Sequence, residues 1–168
     1  MRTALAWLMT GFVLVSFAQA ADEGHKVKTK KHAITAVFPD KPKQTDLKDG
    51  EHYILEVKET GAYLLQYNEF EKEIDTDDKK AVKMIFDGAM EAMIKALPGA
   101  KLASSKDSIE DEMPIRDFEL DMGEKGSYVG RMALDDDKMI QVAVLGTKAF
   151  VKTDAAKEFL ESVEVGDE

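Results

Sequence analysis

The chain has 168 residues, 33 of them acidic against 23 lysines and arginines, a formal charge of −10, and no cysteine. An acidic balance argues against nucleic acid as a partner, because phosphate contacts need a positive surface, and it disfavours broad contact with anionic lipid. Without cysteine there are no disulfides, no thiol catalysis and no thiolate metal sites, so the core alone must hold the domain.

Arg2 is the only charge before Asp22; between them lies a short apolar run, residues 4–17, followed by Ala18, Gln19 and Ala20. A basic start, an apolar core and small residues two apart are the marks of a secretory signal, residues 1–20, cut before Ala21. The rival is an uncleaved membrane anchor. A spanning helix wants roughly 20 apolar residues, and this run is shorter and is broken by Thr10 and Gly11. The expected destination is the periplasm or the extracellular space. Residues 21–32 make a basic arm with four lysines, His25, His32 and one large apolar residue, Val27. It reads as flexible and solvated; the alternative is an electrostatic tether to an anionic surface or polymer. One globular domain is expected over residues 33–165, with 166–168 as a tail.

Ordered structure is expected to begin with a strand over 33–38, ended by Pro39 and Pro42, which cannot continue a ladder. A polar loop with a turn at Asp49 and Gly50 follows. Residues 52–58 then alternate Tyr53, Leu55 and Val57 on one face, and 62–70 repeat this with Tyr63, Leu65 and Tyr67. Pairing Val57 with Tyr63 puts both apolar sets on one face and leaves Glu59, Thr60 and Gly61 as the loop, with Gly61 in its left-handed position.

The period then changes. Val82, Ile85, Phe86, Ala89, Met90, Met93, Ile94 and Leu97 follow the three-four spacing of one helical face. Asp75 or Thr76 is the expected cap, Asp77 and Asp78 suit the positive end of the dipole, and Pro98 with Gly99 stops the helix. So wide an apolar stripe must lie on a sheet. A strand over 101–109 comes next. It is followed by one over 115–122, with Phe118, Leu120 and Met122 on one face, and its partner over 128–134. Setting Met122 against Tyr128 puts Phe118 opposite Met132 and Glu119 opposite Arg131, with Gly126 last in the loop. Asp135, Asp136 and Asp137 turn the chain into residues 139–145, apolar on both faces and hence a central strand covered from both sides. Thr153 caps a short helix with Ala156, Phe159, Leu160 and Val163 facing inward, and 163–165 read as a closing edge strand. The fold class is α+β: a mainly antiparallel sheet sandwiched between the long helix and the short C-terminal helix.

Particular residues in this order resemble the Mog1/PsbP-like superfamily and its bacterial exported members. They are Phe38 with Pro39 and Pro42; Tyr53; Tyr63 and Tyr67; the long helix; Pro114 through Phe118; residues 142–146; and residues 156–162. The resemblance covers residues 34–165. It departs just before Pro114, where a glycine is expected and Asp111, Glu112 and Met113 stand. It implies an α/β/α sandwich and an activity of binding or assembly support rather than catalysis, for partners as unrelated as photosystem II and a nuclear transport GTPase.

Catalytic and metal motifs find little support in the sequence. His25, His32 and His52 lack the convergent spacing of a zinc site. The clusters at Asp75, Asp77, Asp78 and at 135–137 lack the alternating ligands and trailing glutamate of a calcium loop and read as cap and turn. There is no Gly-x-Ser-x-Gly elbow and no phosphate-cradling loop; paired carboxylates for glycoside hydrolysis stay open in so acidic a chain. Arg131 has a structural use opposite an acid. Arg116 reads either as an anchor for an anionic ligand or as a stem along the core edge with its head in water. Among the methionines, Met113 and Met139 flank strands near loops and are the ones expected to be exposed. Arg116, Met113 and Met139 are therefore the candidate binding residues; no catalytic residue, cofactor or metal is expected. The function expected is a non-catalytic, exported binding or assembly-accessory domain acting on a protein or envelope component. The alternative is a small-molecule or lipid carrier with an apolar pocket between the long helix and the sheet.

Overall fold

The computed structural model describes residues 24–166, so the signal expected over 1–20 lies outside the described residues. In chain order the elements are β1 (His25–Lys28), β2 (Ile34–Phe38), β3 (Lys43–Leu47), β4 (Gly50–Val57), β5 (Gly61–Glu69), α1 (Lys79–Ala96), β6 (Lys101–Glu110), β7 (Met113–Asp121), β8 (Ser127–Asp135), β9 (Lys138–Gly146), α2 (Asp154–Glu161) and β10 (Glu164–Val165). Among the described residues no helix is long and apolar enough to cross a membrane.

Seven strands form the main sheet in the order β3-β4-β5-β9-β8-β7-β6, every pairing antiparallel. The doubly apolar strand, β9, stands at its centre, as its sequence requires. On one face Phe86 and Met90 of α1 pack on Leu64, Phe118, Leu120, Met132, Leu134 and Ala143. On the other face Tyr63, Leu65, Tyr67, Val142 and Val144 meet Phe38, Val151, Ala156 and Phe159. The sandwich between two helices is thus present, with one addition. β2 does not join the main sheet; it centres a separate three-stranded sheet, β1-β2-β10, which shares the second face with α2.

In the arm over 21–32, described from residue 24, the lysines are exposed as expected, but the backbone is anchored rather than free. His25 to Lys28 pair along β2, and Val27 is buried against the core. Lys30 then bridges to Asp46 at 2.8 Å, while Lys31 and His32 both reach Glu69, at 3.1 and 2.8 Å. The physical reason is complementarity: Lys30 and Lys31 land on acids carried by β3 and β5. β3 itself replaces part of an expected loop; its residues are all exposed, so it shows no apolar alternation to read.

Both hairpins keep the expected faces but shift register by two. Val57 faces Gly61 rather than Tyr63, and the left-handed residue is Glu59 (φ 62°). Gly61 serves close approach instead, because a Cβ there would run into the Leu145 carbonyl oxygen and the Phe150 ring. Likewise Leu120, not Met122, faces Tyr128, since a short 3₁₀ turn over Gly123–Lys125 widens the loop and the Met122 N–H donates to the Gly126 carbonyl at 2.8 Å. Arg131 consequently stands opposite Asp117 instead of Glu119. The α1 cap is Asp78, whose carboxylate accepts from the N–H groups of Lys80 and Ala81, rather than Asp75 or Thr76. Thr153 caps α2 as its position predicts.

Candidate functional site

Three arrangements of polar groups stand out, and they differ in what they can do. The first is around Arg116, which is 5 % exposed. β7 directs its side chain to the α1 face. There Nε and Nη2 donate to the two oxygens of Asp107 on β6, at 2.6 and 2.8 Å, and Nη1 donates to Asp87 on α1 at 2.6 Å. The guanidinium also lies 5.2 Å from the centre of the Phe86 ring. Arg116 holds the Asp107 carboxyl below its ordinary range, and Lys83 together with Arg116 does the same for Asp87. Its head is neither in water nor open to an anion: it clasps edge strand, neighbouring strand and helix together.

The second arrangement surrounds Glu51 on β4, which is buried. Its carboxylate accepts from Tyr53 OH at 2.5 Å, Tyr67 OH at 3.0 Å, the Lys30 N–H at 3.1 Å and Gln44 Nε2 at 3.2 Å. A buried charge so fully hydrogen-bonded is a fastening, not a reactive group. Burial and the Glu51 carboxylate both push the Tyr53 and Tyr67 phenols far above their ordinary value. The site latches the N-terminal segment onto the main sheet. No sequence pattern announced it, because the partners of Glu51 come from β3, β4, β5 and the segment before β2.

The third is a cleft of about 670 Å³ at the end of the sheet, between β7–β9 on one side and α2 with β10 on the other. Ile115, Ala133, Ile140 and Val142 form an apolar floor, and Leu160, Val163 and Val165 form the wall. The mouth is acidic. Two cations there are already engaged: Arg131 binds Asp117 at 2.7 Å and Glu110 at 2.8 Å, and Lys138 binds Asp135 at 3.2 Å. Asp111, Asp136 and Glu161 are left over. Asp111 and Asp136 occupy the tips of the β6–β7 and β8–β9 hairpins with left-handed backbones, φ 49° and 50°, and Glu112 beside them has φ 67°. Left-handed backbone costs a non-glycine residue roughly 1 kcal/mol or more, so acids are held at this mouth where glycine would be easier.

The candidate binding residues do not converge. Met113 lines this cleft, while Arg116 and Met139 lie on the opposite, α1-covered face. The carrier reading needs an apolar pocket between the long helix and the sheet; the centre of that interface is filled by Phe86, Met90 and their neighbours, while at its β6 side a groove of about 720 Å³ includes Met90, Ile94 and Leu102 in its lining. This groove is floored by the Arg116–Asp107 pair.

No family model matches the sequence, and no curated protein matches it. Its architecture does have counterparts among solved structures. The solution structure of cyanobacterial PsbP (CyanoP) from Synechocystis sp. PCC 6803 superposes with a TM-score of 0.64, at 13% identity, over 91% of this chain and 99% of that one. The chain has a Mog1/PsbP-like fold. The Saccharomyces cerevisiae Ran-binding protein Mog1p aligns over 86% of this chain and 96% of its own, at 14% identity and a TM-score of 0.48. Within the Mog1/PsbP-like fold, the place where the family resemblance led one to expect glycine is the β6–β7 tip, where the backbone is left-handed and the residues are Asp111 and Glu112. The departure noted in the sequence therefore falls at the mouth of the cleft.

Proposed function

We propose that the chain is an exported, non-catalytic binding domain, and that the cleft takes a segment of a protein or envelope partner bearing apolar anchors and positive charge. The observation that carries this reading is the acidic mouth over an apolar floor. Apolar side chains of a partner can be desolvated in the cleft, and its cations can meet Asp111, Asp136 and Glu161. The lining contains no serine, cysteine or histidine, which suits recognition better than group transfer. Export rests on the basic start, the apolar run and the small residues before Ala21.

The test has two arms. Mass measurement of the protein recovered from an exporting host should show a chain beginning at Ala21; an intact Met1 start would remove export by cleavage. Immobilised protein should then retain an envelope component that is released by salt and lost with the Asp111→Lys/Asp136→Lys pair, both exposed turn positions. Retention that ignores these changes, or none at any ionic strength, would overturn the cleft as the binding site.

A further inference from the structure

The free edge of the main sheet points to a second copy of this chain as an occupant, through a surface that meets the cleft at Glu110. β6 is the end strand of the seven, ten residues long and exposed along nearly its whole length. Its outward N–H and C=O groups are an open template for another strand. Leu102 and Ile109, 48 % and 66 % exposed, are two large apolar residues on it. They are seven residues apart, an odd number, and alternation alone would put them on opposite faces. The register irregularity between Leu102 and Ser104 cancels that: Leu102 stands beside Leu120 and Ile109 beside Pro114, so both face the α1 side.

Antiparallel pairing of β6 with itself about a two-fold axis requires opposed residues to share a face. With Ala103 taken as the extra bulge residue, the register centred on Lys106 meets this requirement. It sets Leu102 against Ile109 of the second copy and Lys101 against Glu110, each twice by symmetry, with Ser104 against Ser108 and Ser105 against Asp107. Moving the centre to Ser105 would oppose Leu102 to Asp107; moving it to Asp107 would oppose Ile109 to Ser105. Only the Lys106 register matches apolar with apolar and acid with base. β6 also carries two lysines and two acids, so its own formal charge is zero in a chain of −10. It is a place where two acidic molecules meet with little mutual repulsion. We propose that β6 pairs with β6 of a second copy in this register, joining two main sheets into one. One contact opposes assembly: Lys106 faces its own copy across the axis, and like charges directly opposite destabilise a ladder. The dimer is therefore weak and concentration-dependent.

The absence of cysteine makes the register directly testable. Opposed Cα atoms in such a ladder are about 4.5–5.5 Å apart, inside the range a disulfide accepts. The whole chain, expressed in an exporting host and purified, should form a covalent dimer under mild oxidant as the Lys106→Cys variant. The Ser104→Cys/Ser108→Cys pair should do so as well, each having circular dichroism like that of the parent. Lys48→Cys, at a position whose side chain is 92% exposed and far from β6, is the control. Sedimentation equilibrium should show the Lys106→Thr variant dimerising about threefold to fivefold more tightly than the parent. Crosslinking of Lys106→Cys no faster than the control would overturn the proposal. So would crosslinking at 106 without crosslinking of the 104/108 pair, or a Lys106→Thr dimer weaker than the parent's.

Discussion

Arg116 shows why a lone cation in an acidic chain was hard to assign. Its sequence neighbours say only that it shares a strand face with Phe118; the two carboxylates that engage it come from a helix 29 residues earlier and a strand nine residues earlier. Replacing it by methionine keeps the stem packing on Phe86 and removes the clasp. Because Asp87 and Asp107 are each about half exposed, they can rehydrate. The cost should therefore fall below that of breaking a fully buried pair, at about 2 kcal/mol in urea unfolding at pH 7. The pH dependence has a definite sign. Asp107 is held below its ordinary range by Arg116, so its contribution is complete above about pH 4 and disappears as pH falls through the lowered folded value. The parent and the Arg116→Met variant should differ fully at pH 7 and by progressively less as the pH falls below about 4. An undiminished gap there would mean the loss is packing, not charge.

At the level of elements, periodicity carried the faces and missed the registers. Alternation defines a strand only modulo two, so it places Tyr53, Leu55 and Val57 on the core side while the partner of Val57 lies two residues from the one it predicts. The turn that decides the register hides in a residue type that disfavours it: Glu59 takes the left-handed position, and Gly61 is needed for the close passage of Leu145 and Phe150. Two substitutions should therefore move stability in opposite directions. Glu59→Gly should stabilise the protein by about 0.5–1 kcal/mol through relief of the backbone penalty. Gly61→Ala should destabilise it by about 2 kcal/mol or more, because the obstruction is partly main chain. Urea midpoints of the two variants decide the matter; a Gly61→Ala protein as stable as the parent would mean that the passage of Leu145 and Phe150 leaves room for a side chain, and a Glu59→Gly protein no more stable than the parent would remove the backbone penalty at Glu59. Helices were easier to read, since α1 needs only its own stripe and α2 only Thr153 and the inward face of Ala156 and Phe159. β1 and β3 were not, because one buried valine in a run of lysines, or none in Lys43–Leu47, leaves no pattern to see.

On the scale of the whole molecule, the parts illegible in the sequence are those made by distant segments meeting. The three-stranded sheet brings residues near both ends of the chain onto β2, and the cleft forms only where β10 and α2 overhang β7–β9. What those meetings share is burial of hydroxyls. All four tyrosines, Tyr53, Tyr63, Tyr67 and Tyr128, have their phenols pushed upward, burial being the first cause in each, with the Glu51 carboxylate adding to it at Tyr53 and Tyr67. They lie on both faces of the sheet, three in the layer of the small sheet and Tyr128 under α1. A group whose folded value is raised stabilises the fold fully below its unfolded value, near pH 10 for a phenol, and that contribution is lost as pH rises further. The native protein should therefore show less phenolate absorbance at pH 10 than free tyrosine, which is half ionised there. Above that pH, phenolate should appear together with loss of circular dichroism in one transition, because no tyrosine can ionise without opening a core. Glu51→Gln, which removes the charge facing two of the phenols, should be less stable at pH 7 but lose less of its remaining stability between pH 9 and 11. Phenolate rising along an ordinary curve centred near pH 10 while the fold persists would mean that the core around these rings is open to water.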